Sequence, residues 1–325
     1  MAVTATTAEF LAEARRGGAD FGRTLTIGRQ ACFVGPLALR AILRRNDLWP
    51  AGQSRRAFMR RFADGPPWFA DPYLHALGAR EVHALDVSGY EGADIVHDLN
   101  QPVPAELHGR FDVVFDGGSL EHVFDLPTAL RSYMRMVRVG GRLIVATMAN
   151  NHCGHGFYQL SPELFFRALS ERSGYRVERL HLAGEELDFS RPLAGVSVLY
   201  DTSGGGRWAV ADPEAERERV LLRGRAGAVL LVEARRVADV EPLAEAPQQS
   251  DYEPLWTRPG SAAGPIPDAE AGPLRSAFRR LVPPEARMAI ALDVAPRLLP
   301  LLDPMRHRRT ARQRSFRNRR HFRRP

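Results

Sequence analysis

The residues able to do chemistry gather in two stretches of the chain. Residues 150–159 read Asn150-Asn151-His152-Cys153-Gly154-His155-Gly156-Phe157-Tyr158-Gln159, a run of amides, imidazoles and a phenol with two glycines. Polar side chains packed into one loop at a sheet edge are suited to contact a substrate. His155 is the first candidate for a general base, because an imidazole exchanges protons near neutral pH. Tyr158 and Asn151 are candidates for positioning the substrate, with Asn150 and Gln159 beside them. His152 and His155 flank Cys153, but no further ligand cluster stands near them in sequence, so no metal site is expected. The second stretch supplies acids at strand ends: Asp86, Asp98 and Asp116, followed by Glu121-His122. A carboxylate at a strand end can accept from both hydroxyls of a ribose, which neutral side chains imitate poorly. Glycines at turns, Gly28 and Gly117, let backbone approach a ligand closely. His122 is the second candidate base.

Such groups need a framework, and the apolar pattern gives one. Thr24–Gly28, Val82–Val87, Ala93–Val96, Phe111–Phe115 and Arg142–Met148 read as strands. Phe111–Phe115 is apolar throughout but for Asp112, as expected when both faces are covered. Between and after them, Pro36–Arg45, Leu126–Val139 and a segment from Ser161 to Gly174 read as helices. The second carries Leu130, Tyr133, Met134 and Val137 at i, i+3, i+4 and i+7; the third begins with a capping serine and a first-turn proline. Residues 6–16 form a short helix, and 46–72 are irregular. Val177–Leu182, Ser197–Tyr200 and Ala228–Val237 complete the strands. This alternation predicts an α/β fold: a doubly wound, mostly parallel sheet with ligands at the carboxyl ends of its strands.

Phe111 to Met148 is the most specific part: a strand opening Phe-Asp, a Leu-Glu-His turn, a helix, paired glycines and another strand. With REVHALDVSGYEGADIVHDLNQPVP before it and HGFYQLSPELFFRAL after it, this stretch resembles the class I S-adenosylmethionine-dependent methyltransferases, in their small-molecule branch. The resemblance spans roughly residues 21–237. It implies a seven-stranded Rossmann-like sheet and S-adenosylmethionine as cofactor. Asp86 would hold the ribose, Asp98-Leu99 would flank the adenine, and Asp116-Gly117 would face the methionine end or the substrate. The first loop departs from the family. Where an acid and then G-x-G-x-G are usual, the chain reads Thr24-Leu25-Thr26-Ile27-Gly28-Arg29-Gln30. One glycine remains, and Arg29 is the candidate replacement, as a bidentate partner for the cofactor carboxylate.

Composition bounds the rest. The 325 residues are 44% hydrophobic and 26% charged, ordinary for a globular protein. Two cysteines, Cys32 and Cys153, make no disulfide framework. The N-terminus carries no basic head and apolar run, and no apolar stretch is long enough to span a bilayer, so a cytoplasmic location is expected. The chain has no lysine. From Met305 onward it has ten arginines and no acid; removing those ten from the formal +7 leaves −3 for the rest. The expected organisation is an N-terminal extension (1–20), a Rossmann-like domain (21–237), a Pro-rich linker (238–272), expected to be disordered, and a C-terminal segment ending in the arginine tail (273–325). The tail is suited to weak contact with an anionic membrane surface or nucleic acid. The functional expectation is transfer of a methyl group to a small-molecule or glycan-type acceptor. The alternative is a catalytically inactive scaffold or partner-binding protein, favoured by the missing glycines. A nicotinamide-dependent oxidoreductase lacks its G-x-G-x-x-G.

Overall fold

The computed structural model describes residues 2–49, 51–52, 54–62, 69–188, 199–201, 206–216, 227–250 and 322–323. All fall in one unit, Met1–Tyr252 with Asn318–Pro325. The segment 273–302 and nearly all of the arginine tail lie outside the described residues.

In chain order the elements are β1 (Ala2–Val3), α1 (Ala5–Arg16), β2 (Arg23–Ile27), β3 (Ala31–Cys32), α2 (Pro36–Arg45), α3 (Arg55–Arg60), α4 (Asp71–Ala76), β4 (Glu81–Asp86) and β5 (Ile95–Val96). They continue with β6 (Phe111–Asp116), α5 (Leu126–Met136), β7 (Val137–Asn150), α6 (Pro162–Ala168), β8 (Tyr175–Asp188), β9 (Leu199–Asp201), β10 (Arg207–Val210), α7 (Pro213–Glu216), β11 (Gly227–Arg236) and β12 (Phe322–Arg323). The central sheet runs β5-β4-β2-β6-β7-β11-β8. Its first five strands are parallel, and β11 lies antiparallel between β7 and β8. The chain winds outward from β2 to β5, then restarts at β6 beside β2. The switch in strand order therefore falls between β2 and β6, where an open α/β sheet forms its ligand crevice.

The sheet is larger than the expected seven strands. Ten are present among the described residues: β10 and β12 extend the edge beyond β8, and β9 pairs with β8. Of the arginine tail, Phe322–Arg323 is described, paired with Ala209–Val210. Of the expected strand Ser197–Tyr200, only Leu199 and Tyr200 are described.

Both faces of the sheet are covered. Val113, Phe115, Ile144 and Ala146 join Phe10, Leu11, Leu39, Leu43 and Tyr73 in one core with α1, α2 and α4. The alternate residues Val114, Leu143 and Val145 are equally buried and point to the other face, where α5 crosses from β6 to β7. Tyr133 and Tyr175, both fully buried, fill that side, and Tyr175 OH donates to Met134 O at 2.6 Å.

Residues 1–20 are not an extension. Thr4 caps α1 by accepting from Thr7 N, and the helix buries Phe10, Leu11 and three alanines. Burying Phe10 and Leu11 contributes about 2 kcal/mol each. Ala2–Val3 pairs with Ala31–Cys32, and Tyr73 OH donates to Ala8 O at 2.7 Å, which ties α1 to α4. Nor is 238–250 a free linker: Leu243 is buried, Arg131 donates to its carbonyl, and Ser250 N donates to Glu163 at 2.7 Å. Segment 46–72, expected to be irregular, contains α3 and the start of α4. The helix expected over Leu126–Val139 ends at Met136, and a strand begins at once with Val137. β-Branched Val137 and Val139 flank one arginine there, and that alternation suits a strand better than a helical turn.

Candidate active site

Two cavities open at the carboxyl ends of β2, β4 and β6. The larger, about 410 Å³, is lined by Ile27, Gly28, Leu85, Asp86, Val87, His97, Asp98, Leu99, Asn100, Ser119, His122 and Val123. The smaller, about 170 Å³, is lined by Gly117, Gly118, Glu121, His122, Thr147, Met148 and His155, with Ala2, Thr4, Thr7, Phe33, Ala146 and Val229. His122 stands in the wall of both.

The larger cavity gathers four residues expected to bind a cofactor. Gly28 follows β2 at φ 66°, a left-handed conformation that favours glycine, and its N–H donates to Leu85 O at 2.7 Å. Asp86 ends β4, with a single long bond from Ser88 N at 3.4 Å, so most of its acceptor capacity is unused. Asp98 turns the chain, accepting from Asn100 N at 2.9 Å and Asn100 Nδ2 at 2.8 Å. These bonds hold its carboxyl below the usual range. Asn100 in turn accepts from Asp125 N, and Asp125 caps α5 through Thr128 N. The cavity rim is thereby tied to the helix behind it. Leu99, nearly buried, supplies an apolar wall.

Three expected cofactor residues, Asp116, Arg29 and Gly117, lie outside the larger cavity. Asp116 is wholly buried beneath the turn. Its Oδ1 accepts from Gly118 N and Ser119 N at 3.0 and 2.7 Å, and its Oδ2 from Leu120 N at 2.9 Å and Tyr133 OH at 3.2 Å. With every lone pair engaged it builds the turn and does not reach a ligand. Burial, and then the nearby Glu121 carboxyl, push it up to about 6 against the pull of those N–H donors. Arg29 lines neither cavity. It lies over the Phe69 ring and reaches Asp71 and Glu91 O. The space beneath the turn is taken by Gln30, whose Nε2 donates to Ile27 O; a Cβ on Gly117 would strike its Oε1. Gly117 lines the smaller cavity, on the other side of the turn from Gly28.

The smaller cavity brings both histidines expected as bases to one place. The His122 and His155 rings are 4.9 Å apart, and His155 Nε2 is 3.9 Å from Glu121 Oε1. Glu121 is fully buried; Thr147 Oγ1 donates to its Oε2 at 2.7 Å, while Oε1 has no partner. Burial raises its carboxyl above the ordinary value. Burial also lowers His122, His152 and His155, which favours their neutral imidazoles. The 150–159 loop is docked by its backbone: Phe157 N and Tyr158 N both donate to Glu121 O. Gly156, at φ 69°, makes that approach possible.

The four residues expected to bind substrate do not line either cavity. Tyr158 OH donates to Phe124 O at 2.7 Å, and Gln159 Oε1 accepts from His152 N at 3.0 Å. Asn150 closes β7 opposite Ala228, and Asn151 takes a left-handed turn at φ 58°. These residues shape the loop that presents His155. Glu121, Thr147 and Ser119 are the site residues that sequence reasoning did not single out for the cavities. Glu121 follows the acid-ended strand within the Leu-Glu-His turn, which was the available signal.

The seven central strands, with β11 reversed between β7 and β8, settle the architecture. This is the α/β, mostly parallel doubly wound sheet that the resemblance to the class I methyltransferases implies. No family model and no curated protein matches the chain. Among solved structures it is similar to an S-adenosylmethionine-dependent methyltransferase from Mesorhizobium loti, at 17% identity over 72% of this chain and 98% of that one, with a TM-score of 0.35. It is similar also to the 1,6-didemethyltoxoflavin-N1-methyltransferase of Burkholderia thailandensis, at 12% identity over 72% of this chain and 78% of that one, TM-score 0.33.

Proposed function

We propose that the chain transfers a methyl group from S-adenosylmethionine to a small-molecule or glycan-type acceptor. The observation that carries this reading is the pair of cavities meeting at His122, one suited to a nucleoside and the other small and lined by activating groups. Asp86 has free lone pairs for two ribose hydroxyls. Leu85, Val87, Leu99 and Val123 offer apolar faces to a purine, and Asp98 stands where an exocyclic amine can donate. Arg29 is directed away from this cavity, and the Ser119 hydroxyl already donates to Ile27 O. The donor supplies a methyl already activated on a sulfonium, so alignment provides much of the acceleration. On the acceptor side, Glu121, His122 and His155 serve to activate the nucleophilic atom.

The test is calorimetric titration of the full chain with S-adenosylhomocysteine, beside Asp86→Asn. Saturable one-to-one binding is expected. The variant is expected to bind about 10–100-fold more weakly, since a hydrogen bond to a charged group contributes roughly 1.5–3 kcal/mol. No heat at high micromolar ligand, from protein shown to be folded, would overturn the reading in favour of a scaffold.

A further inference from the structure

We infer that Glu121, His122 and His155 form a binding site for a divalent transition-metal ion, zinc or one of similar softness, facing the smaller cavity. The inference rests on reading that cavity as the acceptor's. One ligand atom from each of the three residues lies within 4.8 Å of the other two. Ligand atoms around tetrahedral zinc are about 3.3 Å apart, given zinc–nitrogen and zinc–oxygen bonds near 2 Å. His155 Nε2 and Glu121 Oε1 are already at 3.9 Å. His155 is 41% exposed on its loop, so a small rotation closes the gap without disturbing the core.

A second observation is independent of this spacing. Glu121 Oε1 is buried and unpartnered on a fully buried side chain, in the wall of the cavity. A buried carboxylate oxygen with nothing to accept from is costly, and a bound cation would supply its partner. The other oxygen is held by the Thr147 hydroxyl, the kind of outer hydrogen bond that fixes a ligating carboxylate. Two imidazoles and one carboxylate are the donor set of open zinc and iron sites. Magnesium is disfavoured because two of the three donors are nitrogen. His152 stays outside the set: its ring centre is 6.3 Å from that of His155, and its Nε2 lies against Gly227.

Three protein ligands leave a coordination position open towards the cavity. An acceptor hydroxyl bound there would release its proton to water at a lower pH than in solution, as metal-bound water does. His155 would then be a ligand and not the general base expected from the sequence. The substrate class this favours is a hydroxyl-bearing molecule able to offer an oxygen to the metal.

The test uses the full chain, stripped with a chelator and titrated with cobalt(II) chloride alone while the visible absorption is followed. The expected result is a band of low-symmetry cobalt saturating at one equivalent. Both His155→Ala and Glu121→Gln should weaken binding at least tenfold, with S-adenosylhomocysteine affinity and circular dichroism retained. His155 is on the loop surface, so its variant keeps the test decisive if Glu121→Gln does not fold. Only the spectrum of aqueous cobalt, or a band unchanged in His155→Ala, would overturn the site. The two readings fail separately. Cofactor binding without cobalt binding sinks the metal site and leaves the methyl-donor reading; cobalt binding without cofactor binding does the reverse.

Discussion

Replacing Gly156 with alanine should undock the loop that carries His155, and the structure sets the size of the effect. Gly156 holds φ at 69°, where an L-residue pays about 1–2 kcal/mol. Its added Cβ would also lie 2.7 Å from Glu121 O, closer than such atoms can sit, and 3.2 Å from Glu121 Cγ, a tight contact. The loop must therefore move away, and the two hydrogen bonds from Phe157 N and Tyr158 N to Glu121 O go with it. Each is worth about 0.5–1.5 kcal/mol net. The summed penalty is about 2–5 kcal/mol. Because the loop can leave while the sheet stays folded, the loss of global stability is capped at the cost of local undocking. Gly154→Ala is the control: φ is 90°, but nothing stands within 4 Å of its added Cβ, so only the backbone penalty applies. Urea unfolding should show Gly156→Ala less stable than Gly154→Ala, and amide exchange at Phe157 and Tyr158 should accelerate only in the former. S-adenosylhomocysteine affinity should survive in both, since neither glycine lines the larger cavity. Equal stability and equal exchange in the two variants would refute the claim that the loop is docked through Glu121.

Two further outcomes follow from buried charge and from a buried imidazole. Glu233, nearly inaccessible, accepts from Arg142 Nε at 3.1 Å and Arg179 Nε at 2.7 Å. Glu233→Ala leaves Arg142 buried and uncompensated and should cost about 3–5 kcal/mol in chemical unfolding, whereas replacing Arg142 and Glu233 together by Met and Leu should cost far less; equal losses would show that the pair is not coupled. His181 sits edge-on to Phe10 with Nδ1 unpartnered, and burial, then Arg207 and Arg179, lower it from 6.5 to about 4. The unfolded chain therefore takes up this proton first, so the stabilising contribution is whole above about pH 6.5 and is lost as pH falls through 4. His181→Leu should flatten that acid limb of the stability profile, and an unchanged limb would assign it to other groups.

The fold was largely legible because strand-helix alternation depends on local pattern. Phe111–Phe115 and Val82–Val87 are apolar runs that both helix layers require, and their positions hold to within a residue or two. What was not legible depends on docking. Nothing in residues 5–16 says that their apolar face lands on the sheet, so α1 read as an extension. Asp86 and Asp116 look alike in sequence, each an acid ending an apolar strand. Only the three N–H groups converging on Asp116 separate a turn-builder from an acid open to a ligand. Likewise Glu121 and His155 are far apart in sequence, and they meet only because Gly156 permits close backbone approach. Arg29 illustrates the converse. Its spacing after the first strand suggested a carboxylate partner, but Phe69 and Asp71 offer it a cation–π face and an acid outside the cavity.

The most direct measurement is a crystal structure of the full chain grown with S-adenosylhomocysteine. The account predicts density for the nucleoside between Gly28, Leu99 and Asp86, with both ribose hydroxyls on the Asp86 carboxylate and the sulfur directed towards His122. Density at another place on the protein, or an empty crevice at saturating ligand, would contradict it.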